Sequence, residues 1–279
     1  MKRTFRVGVR VVLLLLLCNL VFSVRSYSQR NEAMTQQNKN LPVITIIYDN
    51  NPHDEKLRTG WGFSCVVSGL EKTILFDTGG DGEVLMENMG KSGIAPETID
   101  VVFLSHSHGD HTGGLAGFLK VNPNVAVYLP ASFPAHLKNT VTTSGAKLIG
   151  VSRPSEIFPD AYSSGELGVH IIEQSLIIRT ARGLVIITGC AHPGILEIIE
   201  KAKGQLKEDV FLVAGGFHLL QESKKDLAKI ISDFKLLGVA YVAPTHCSGD
   251  EARQAFAQEY GDRYLKCGAG KVIRLDDLK

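Results

Sequence analysis

Apolar residues recur along the body of the chain in short runs, and the spacing of those runs sets the elements expected. Residues 43–48, 64–68, 72–76 and 101–104 are rich in Val, Ile, Leu and Phe. They are bounded by Gly, Pro, Asn or Asp, the marks of β-strands. Runs at 125–129 and 147–151 follow. In the second half, 169–180 and 184–188 read as a strand pair turned at Ala181-Arg182-Gly183, and 210–214, 239–243 and 272–275 as further strands. The stretches between them predict helices at 83–91, 112–121, 193–203, 222–237 and 250–260. The first two end on Gly or Asn-Pro signals, and the third opens on Pro193. No linker and no short-period repeat divides this region. Strand pairs followed by alternating strands and helices predict a single α/β domain over 41–279, its sheets covered by helices on their outer faces.

The first forty residues follow a different pattern. Lys2, Arg3, Arg6 and Arg10 precede an apolar stretch, 11–22, broken only by Cys18 and Asn19, and Ser26-Tyr27-Ser28 supplies a small-x-small site. The apolar core is well short of the roughly 20 residues that span a bilayer. Residues 1–28 are therefore expected to be a signal peptide cleaved near Ser28. An uncleaved membrane anchor is the alternative, and Leu17 before Cys18 argues against a lipoprotein. Residues 29–40, polar and rich in Asn and Gln, are expected to form a flexible spacer. The mature chain is then expected to be exported, periplasmic or secreted, with no stable membrane span after cleavage.

Composition adds little beyond this. The 279 residues are 44% hydrophobic and 21% charged with a formal net charge of +1, an ordinary globular balance. It gives no electrostatic reason to expect a nucleic-acid partner, so a small-molecule substrate is expected. Beyond the leader, Cys65, Cys190, Cys247 and Cys267 are too few and too scattered for a disulfide framework. Buried free thiols are expected, with a single bridge as the alternative, and Cys190 and Cys247, near the expected ligands, are read as packing residues, with thiolate ligation as the alternative.

The chemistry is concentrated at strand ends. His106, His108, Asp110 and His111 lie within six residues directly after the 101–104 run, and His192, His218 and His246 each follow a later strand. Neutral imidazole suits Zn and Fe, and a carboxylate adds a harder donor. Two such ions about 3.5–4 Å apart clamp a reacting oxygen between them. One or two divalent ions are expected, Zn first, with Fe or Mn as alternatives. Ser248 is read as a helix N-cap or as a contact for an anionic substrate group.

The His-x-His-x-Asp-His run at 106–111 resembles the signature of the metallo-β-lactamase superfamily, and Leu75-Phe76-Asp77-Thr78-Gly79 resembles its earlier Asp motif. That resemblance implies an αββα sandwich: two mixed β-sheets face to face, helices outside, metals at one edge. It implies that His106, His108 and His192 bind a first ion, that Asp110, His111 and His246 bind a second, and that Asp77 holds the His-rich loop. Asp110 and His218 are the candidate catalytic groups. Many members carry a bridging Asp after a late strand; here Ala214-Gly215-Gly216-Phe217-His218 has none. Either His218 takes that place or the second ion is held more weakly.

The segments Tyr48-Asp49-Asn50, Trp61-Gly62-Phe63-Ser64, Glu173-Gln174, Gly189-Cys190-Ala191-His192-Pro193-Gly194, Gly215-Gly216-Phe217-His218-Leu219 and Pro244-Thr245-His246-Cys247-Ser248-Gly249 look like one branch. That branch includes methanopterin-pathway enzymes joining a dihydropterin to a ribofuranosylaminobenzene phosphate. Three functions stay open. The first is a metal-dependent hydrolase in which a metal-activated hydroxide attacks an ester, amide or phosphoester. The second is a pterin-type condensing transferase, which export from the cytosol disfavours. The third is a non-catalytic metal- or ligand-binding protein of the same fold.

Overall fold

The computed structural model describes residues 41–279; the expected leader and spacer, 1–28 and 29–40, lie outside the described residues. No helix among the described residues is long and apolar enough to cross a membrane.

The first half builds one sheet from β1 (Val43–Asp49), β2 (Phe63–Ser68), β3 (Ile74–Phe76), β4 (Val101–Phe103), β5 (Ala126–Pro130) and β6 (Lys147–Val151). The last strand, β13 (Val272–Arg274), joins beside β1, giving the order β13-β1-β2-β3-β4-β5-β6. Pairing is antiparallel from β13 to β3 and parallel from β3 to β6. The second sheet holds β7 (Ser155–Phe158), β8 (Ala161–Ser163), β9 (Leu176–Thr180), β10 (Gly183–Thr188), β11 (Val210–Gly216) and β12 (Tyr241–Thr245). Its order is β12-β11-β10-β9-β8-β7, and β10, β11 and β12 are mutually parallel.

Alternation along each strand explains why four layers form. Side chains of successive strand residues point to opposite faces. Ile74, Phe76, Val101 and Phe103 meet Leu176, Ile178, Val185 and Ile187 in one core between the sheets. Leu75 and Val102 face outward, onto α1 (Gly82–Lys91), α3 (Leu115–Val121) and α4 (Ala135–Ser144), through Leu85, Phe118 and Val141. Leu184, Ile186 and Val213 face α5 (Ile195–Leu206), α6 (Lys224–Leu236) and α7 (Asp250–Tyr260), through Ile198, Phe234 and Phe256. Both faces of both sheets are buried, so the central strands read as near-continuous apolar runs. The αββα sandwich implied by the resemblance is the architecture observed.

Three local expectations fail. The strand expected over 169–180 begins only at Leu176. Gly168 takes a left-handed φ of +89°, and Val169 is 87% exposed, so the chain ahead of β9 is a loop. The α4 helix was not expected, because its Thr and Asn residues are weak helix formers and Pro134 provides no side-chain cap. β7 and β8, joined by a turn with Asp160 at φ +69°, are too short to carry a readable alternation.

Candidate metal centre

Five strands end at one edge of the sandwich. Asp77 follows β3, Ser105-His106 follows β4, Gly189-Cys190 follows β10, Phe217-His218 follows β11 and His246 follows β12. All lie at the carboxyl ends of parallel strands, where α/β sheets place ligand-binding loops. A four-residue helical turn, α2 (Gly109–Thr112), carries Asp110 and His111. Asp77, Ala191, His218 and His246 hold left-handed backbones, with φ of +50°, +62°, +55° and +50°. Non-glycine residues reach that region only where their surroundings fix them, so strain is gathered at this edge.

Hydrogen bonds orient three of the imidazoles, His106, His111 and His246. Asp77 is fully buried and accepts from the Ser105 N–H at 2.7 Å and the Ser105 hydroxyl at 2.7 Å. Its Oδ2 also lies 2.7 Å from His111 Nδ1. His246 Nδ1 lies 2.8 Å from Asn50 Oδ1, while Asn50 Nδ2 donates to the His246 carbonyl at 3.3 Å. His106 Nδ1 lies 2.9 Å from the Ser105 hydroxyl, which already gives its proton to Asp77. Each Nδ1 is thereby the donor, and each Nε2 presents its lone pair to the site.

These nitrogens converge on one another. His111 Nε2 and His246 Nε2 face each other at 3.2 Å, and Asp110 Oδ2 lies 3.6 Å and 3.4 Å from them. His106 Nε2 lies 3.2 Å from His108 Nδ1. His192 Nε2 is buried and has no hydrogen-bond partner. The donors form two compact sets, His106/His108/His192 and Asp110/His111/His246, each with ligand atoms within 4.8 Å of one another. Acceptor nitrogens 3.2 Å apart repel unless a cation lies between them, so the residues present fit a metal centre.

The six residues expected as ligands are thus brought together in the two sets expected, and Asp77 sits behind the His-rich loop. Two other expectations are corrected. The place between the sets is taken by Cys190, whose Sγ lies 3.3 Å from His111 Nε2 and which groups with His106 and His111. Cys190 thus stands within reach of a donor of each set while also packing in the core, whereas His218 groups with neither His106 nor His111. His218 instead lies against His192, ring centroids 4.4 Å apart and planes tilted by 56°, and groups with Cys190 and Cys247. Ser248 neither caps α7 nor faces the opening. It is fully buried, its hydroxyl donates to the Thr245 carbonyl at 2.7 Å and accepts the Phe217 N–H at 3.1 Å, and Gly249 is the N-cap.

Glu173 is a residue whose role the sequence did not disclose. Fully buried, it accepts the N–H groups of Gly189, Cys190 and Ala191 on Oε1 at 2.9–3.0 Å, and that of His192 on Oε2 at 2.9 Å. One carboxylate thus shapes the loop that presents both Cys190 and His192. Gly189 is required there, because a Cβ would lie 2.1 Å from the Ser105 hydroxyl and 3.0 Å from His106 Nδ1.

Electrostatics keep the donor set ready for a cation. Burial pushes His106 well below the usual imidazole range, with neighbouring imidazoles adding to it. Burial, then His218 and His108, bring His192 down to about 4. Burial alone would raise Asp110, but the His246 hydrogen bond and the His111 charge outweigh it and hold the carboxyl at about 2. At neutral pH His106 and His192 are therefore neutral and Asp110 ionised, the forms that ligate, whereas burial, which would lower His111, is outweighed by the Asp77 charge and hydrogen bond, which raise it. Trp61, 55% exposed, stands beside this edge with its ring 5.0 Å from that of His246.

Residues 62–194 match the family model for the metallo-beta-lactamase superfamily. The chain is 28% identical to the 7,8-dihydropterin-6-methyl-4-(beta-D-ribofuranosyl)-aminobenzene-5'-phosphate synthase of Methanocaldococcus jannaschii, over 84% of this chain and 97% of that one. A ribonuclease Z of Streptococcus equi subsp. zooepidemicus is 26% identical over 52% of this chain and 46% of its own length. Among solved structures, Tm1679, a metal-dependent hydrolase of the beta-lactamase superfamily, superposes with a TM-score of 0.70 at 28% identity. It covers 84% of this chain and 98% of that one.

Proposed function

Because the chain belongs to the metallo-β-lactamase superfamily, we propose that it is a metal-dependent hydrolase acting on a small ester, amide or phosphoester. The observation that carries this reading is the pair of facing nitrogens, His111 Nε2 and His246 Nε2, 3.2 Å apart beside Asp110. His106, His108 and His192 would hold one divalent ion and Asp110, His111 and His246 a second, with the Cys190 sulfur within reach of a donor of each set. Ions bound there supply Lewis acidity toward the scissile group and make water a stronger acid. Zn suits this mixture of imidazole, carboxylate and thiol.

The chain's own groups supply the rest. Asp110, ionised, accepts a hydrogen bond from the attacking water and fixes its direction. His218 lies on the open side of the site next to His192, its basicity raised by the hydrogen bond to the Cys247 thiol. It is placed to give a proton to the leaving group. The Trp61 ring forms one wall of the opening, suited to a planar or apolar portion of the substrate. We place the mature chain outside the cytoplasm, on the leader-like pattern of residues 1–28.

A second reading rests on the synthase from Methanocaldococcus jannaschii, matched over nearly its whole length: a condensation in which a second substrate replaces water. Steady-state turnover of the metal-loaded chain decides between them. Hydrolysis of an ester, lactone or phosphodiester, lost on metal removal and restored on reloading, supports the first reading. Absence of hydrolysis across that panel, with coupling of a dihydropterin to an aminobenzene ribofuranosyl phosphate, contradicts it.

A further inference from the structure

Cys247 and His218 have no part in the two His/Asp donor sets, yet both turn toward Cys190. Cys190 Sγ, Cys247 Sγ and a His218 ring nitrogen lie within 4.8 Å of one another. They come from three different strand ends, after β10, β11 and β12. Both thiols are buried and free, and the Cys247 Sγ–H points to the Cys190 carbonyl at 3.6 Å. The His218 ring closes the group from the exposed side.

Packing does not require this convergence, and the backbone is strained to produce it. His218 is held at φ +55°. Next to it, Gly216 leaves room for the sulfur: a Cβ there would lie 2.7 Å from Cys247 Sγ, 3.2 Å from Cys190 Cα and 2.4 Å from the Gly189 carbonyl. Zn–S bonds of about 2.3 Å and Zn–N bonds of about 2.0–2.1 Å in a tetrahedron place donor atoms about 3.5–3.8 Å apart. The three donors would close by little more than an ångström at most to reach that spacing.

We propose that Cys190, His218 and Cys247 form an additional site for a thiophilic ion, Zn2+ or Cu+, separate from the two His/Asp sets and sharing the Cys190 sulfur with them. Two thiolates and one imidazole are the donors that such ions select. Binding releases the thiol protons to solvent and changes no oxidation state. An ion there engages the His218 ring and withdraws it from the proton donation described above. That consequence rests on the hydrolase reading; the site itself does not.

The test uses the full chain, stripped with a chelator and reloaded with Co2+ as a spectroscopic stand-in. The wild-type chain should show thiolate-to-cobalt charge transfer in the near ultraviolet. Cys247→Ser should lose about one equivalent of metal and about half of that intensity, the remainder coming from the Cys190 sulfur shared with the His/Asp sets. His218→Ala, altered at an exposed position and so expected to keep the fold, should release the same equivalent at a lower chelator concentration. His108→Ala should lose metal from the His set while keeping the Cys247-dependent charge transfer, so failure of that set and failure of this site are read separately. Unchanged charge transfer and stoichiometry in both Cys247→Ser and His218→Ala would overturn the proposal. So would a Cys190–Cys247 disulfide in the isolated protein, read as two fewer titratable thiols after denaturation.

Discussion

The carboxylate of Asp77 lies 2.7 Å from Nδ1 of His111, and both side chains are fully buried. This contact makes Nδ1 the donor to Asp77 and turns Nε2 toward His246 and Cys190. The same carboxylate ties Ser105, and through its hydroxyl the neighbouring His106, so one residue behind the site orients a donor in each set.

Replacing Asp77 with Asn keeps the shape and removes the charge that holds His111. Partners behind a ligating histidine typically carry 10- to 100-fold in metal affinity. Asp77→Asn should weaken Zn binding by about that factor in a competition titration against a chromophoric chelator. Affinity equal to that of the wild-type chain would contradict the orienting role.

The metal-free protein should show a pH dependence of stability set in part by His192. Burial, reinforced by His218 and His108, lowers this group to about 4 from its ordinary 6.5. Between those values the unfolded chain binds the proton and the folded chain does not. Its contribution to stability is therefore full above about pH 6.5, declines as pH falls toward 4, and levels off below. Urea unfolding across this range should give a slope that His192→Gln reduces. An identical slope in the variant would count against the assignment.

Trp61 is the single tryptophan of the chain, and its ring centroid lies 5.0 Å from that of His246. Its fluorescence should report occupancy of the nearby set directly. Adding Co2+ to the stripped protein should quench the emission with a saturating curve, and His246→Ala should abolish the saturable part. Emission indifferent to metal would show that Trp61 is not beside a bound ion.

How much of this was legible in the sequence depends on the distance over which each feature acts. The sheets were readable because β3, β4, β10 and β11 are short apolar runs with clear boundaries, and the six expected ligands because four of them share one six-residue segment. Glu173 was not readable as an organiser of the 189–192 loop, because its role consists of hydrogen bonds across 16 to 19 residues of sequence. Asn50, which orients His246 from 196 residues away, is the same case. Cys190 was legible only as a residue that could pack or ligate, because two residues of spacing from His192 do not show that its sulfur converges on the site. Ser248 was misread because a serine before a helix suggests a cap, whereas here it lies one residue too early and inside a 3-10 turn.

The central claim is that imidazoles and a carboxylate at this sandwich edge form a metal centre. It is tested most directly by elemental analysis of the full chain purified without chelator, beside His108→Ala. The wild-type chain should carry one or more equivalents of Zn, Fe or Mn. His108→Ala, with the same circular dichroism spectrum, should lose about one of them. Less than about a tenth of an equivalent in the wild-type chain after reloading, or the same content in the variant, would contradict the account.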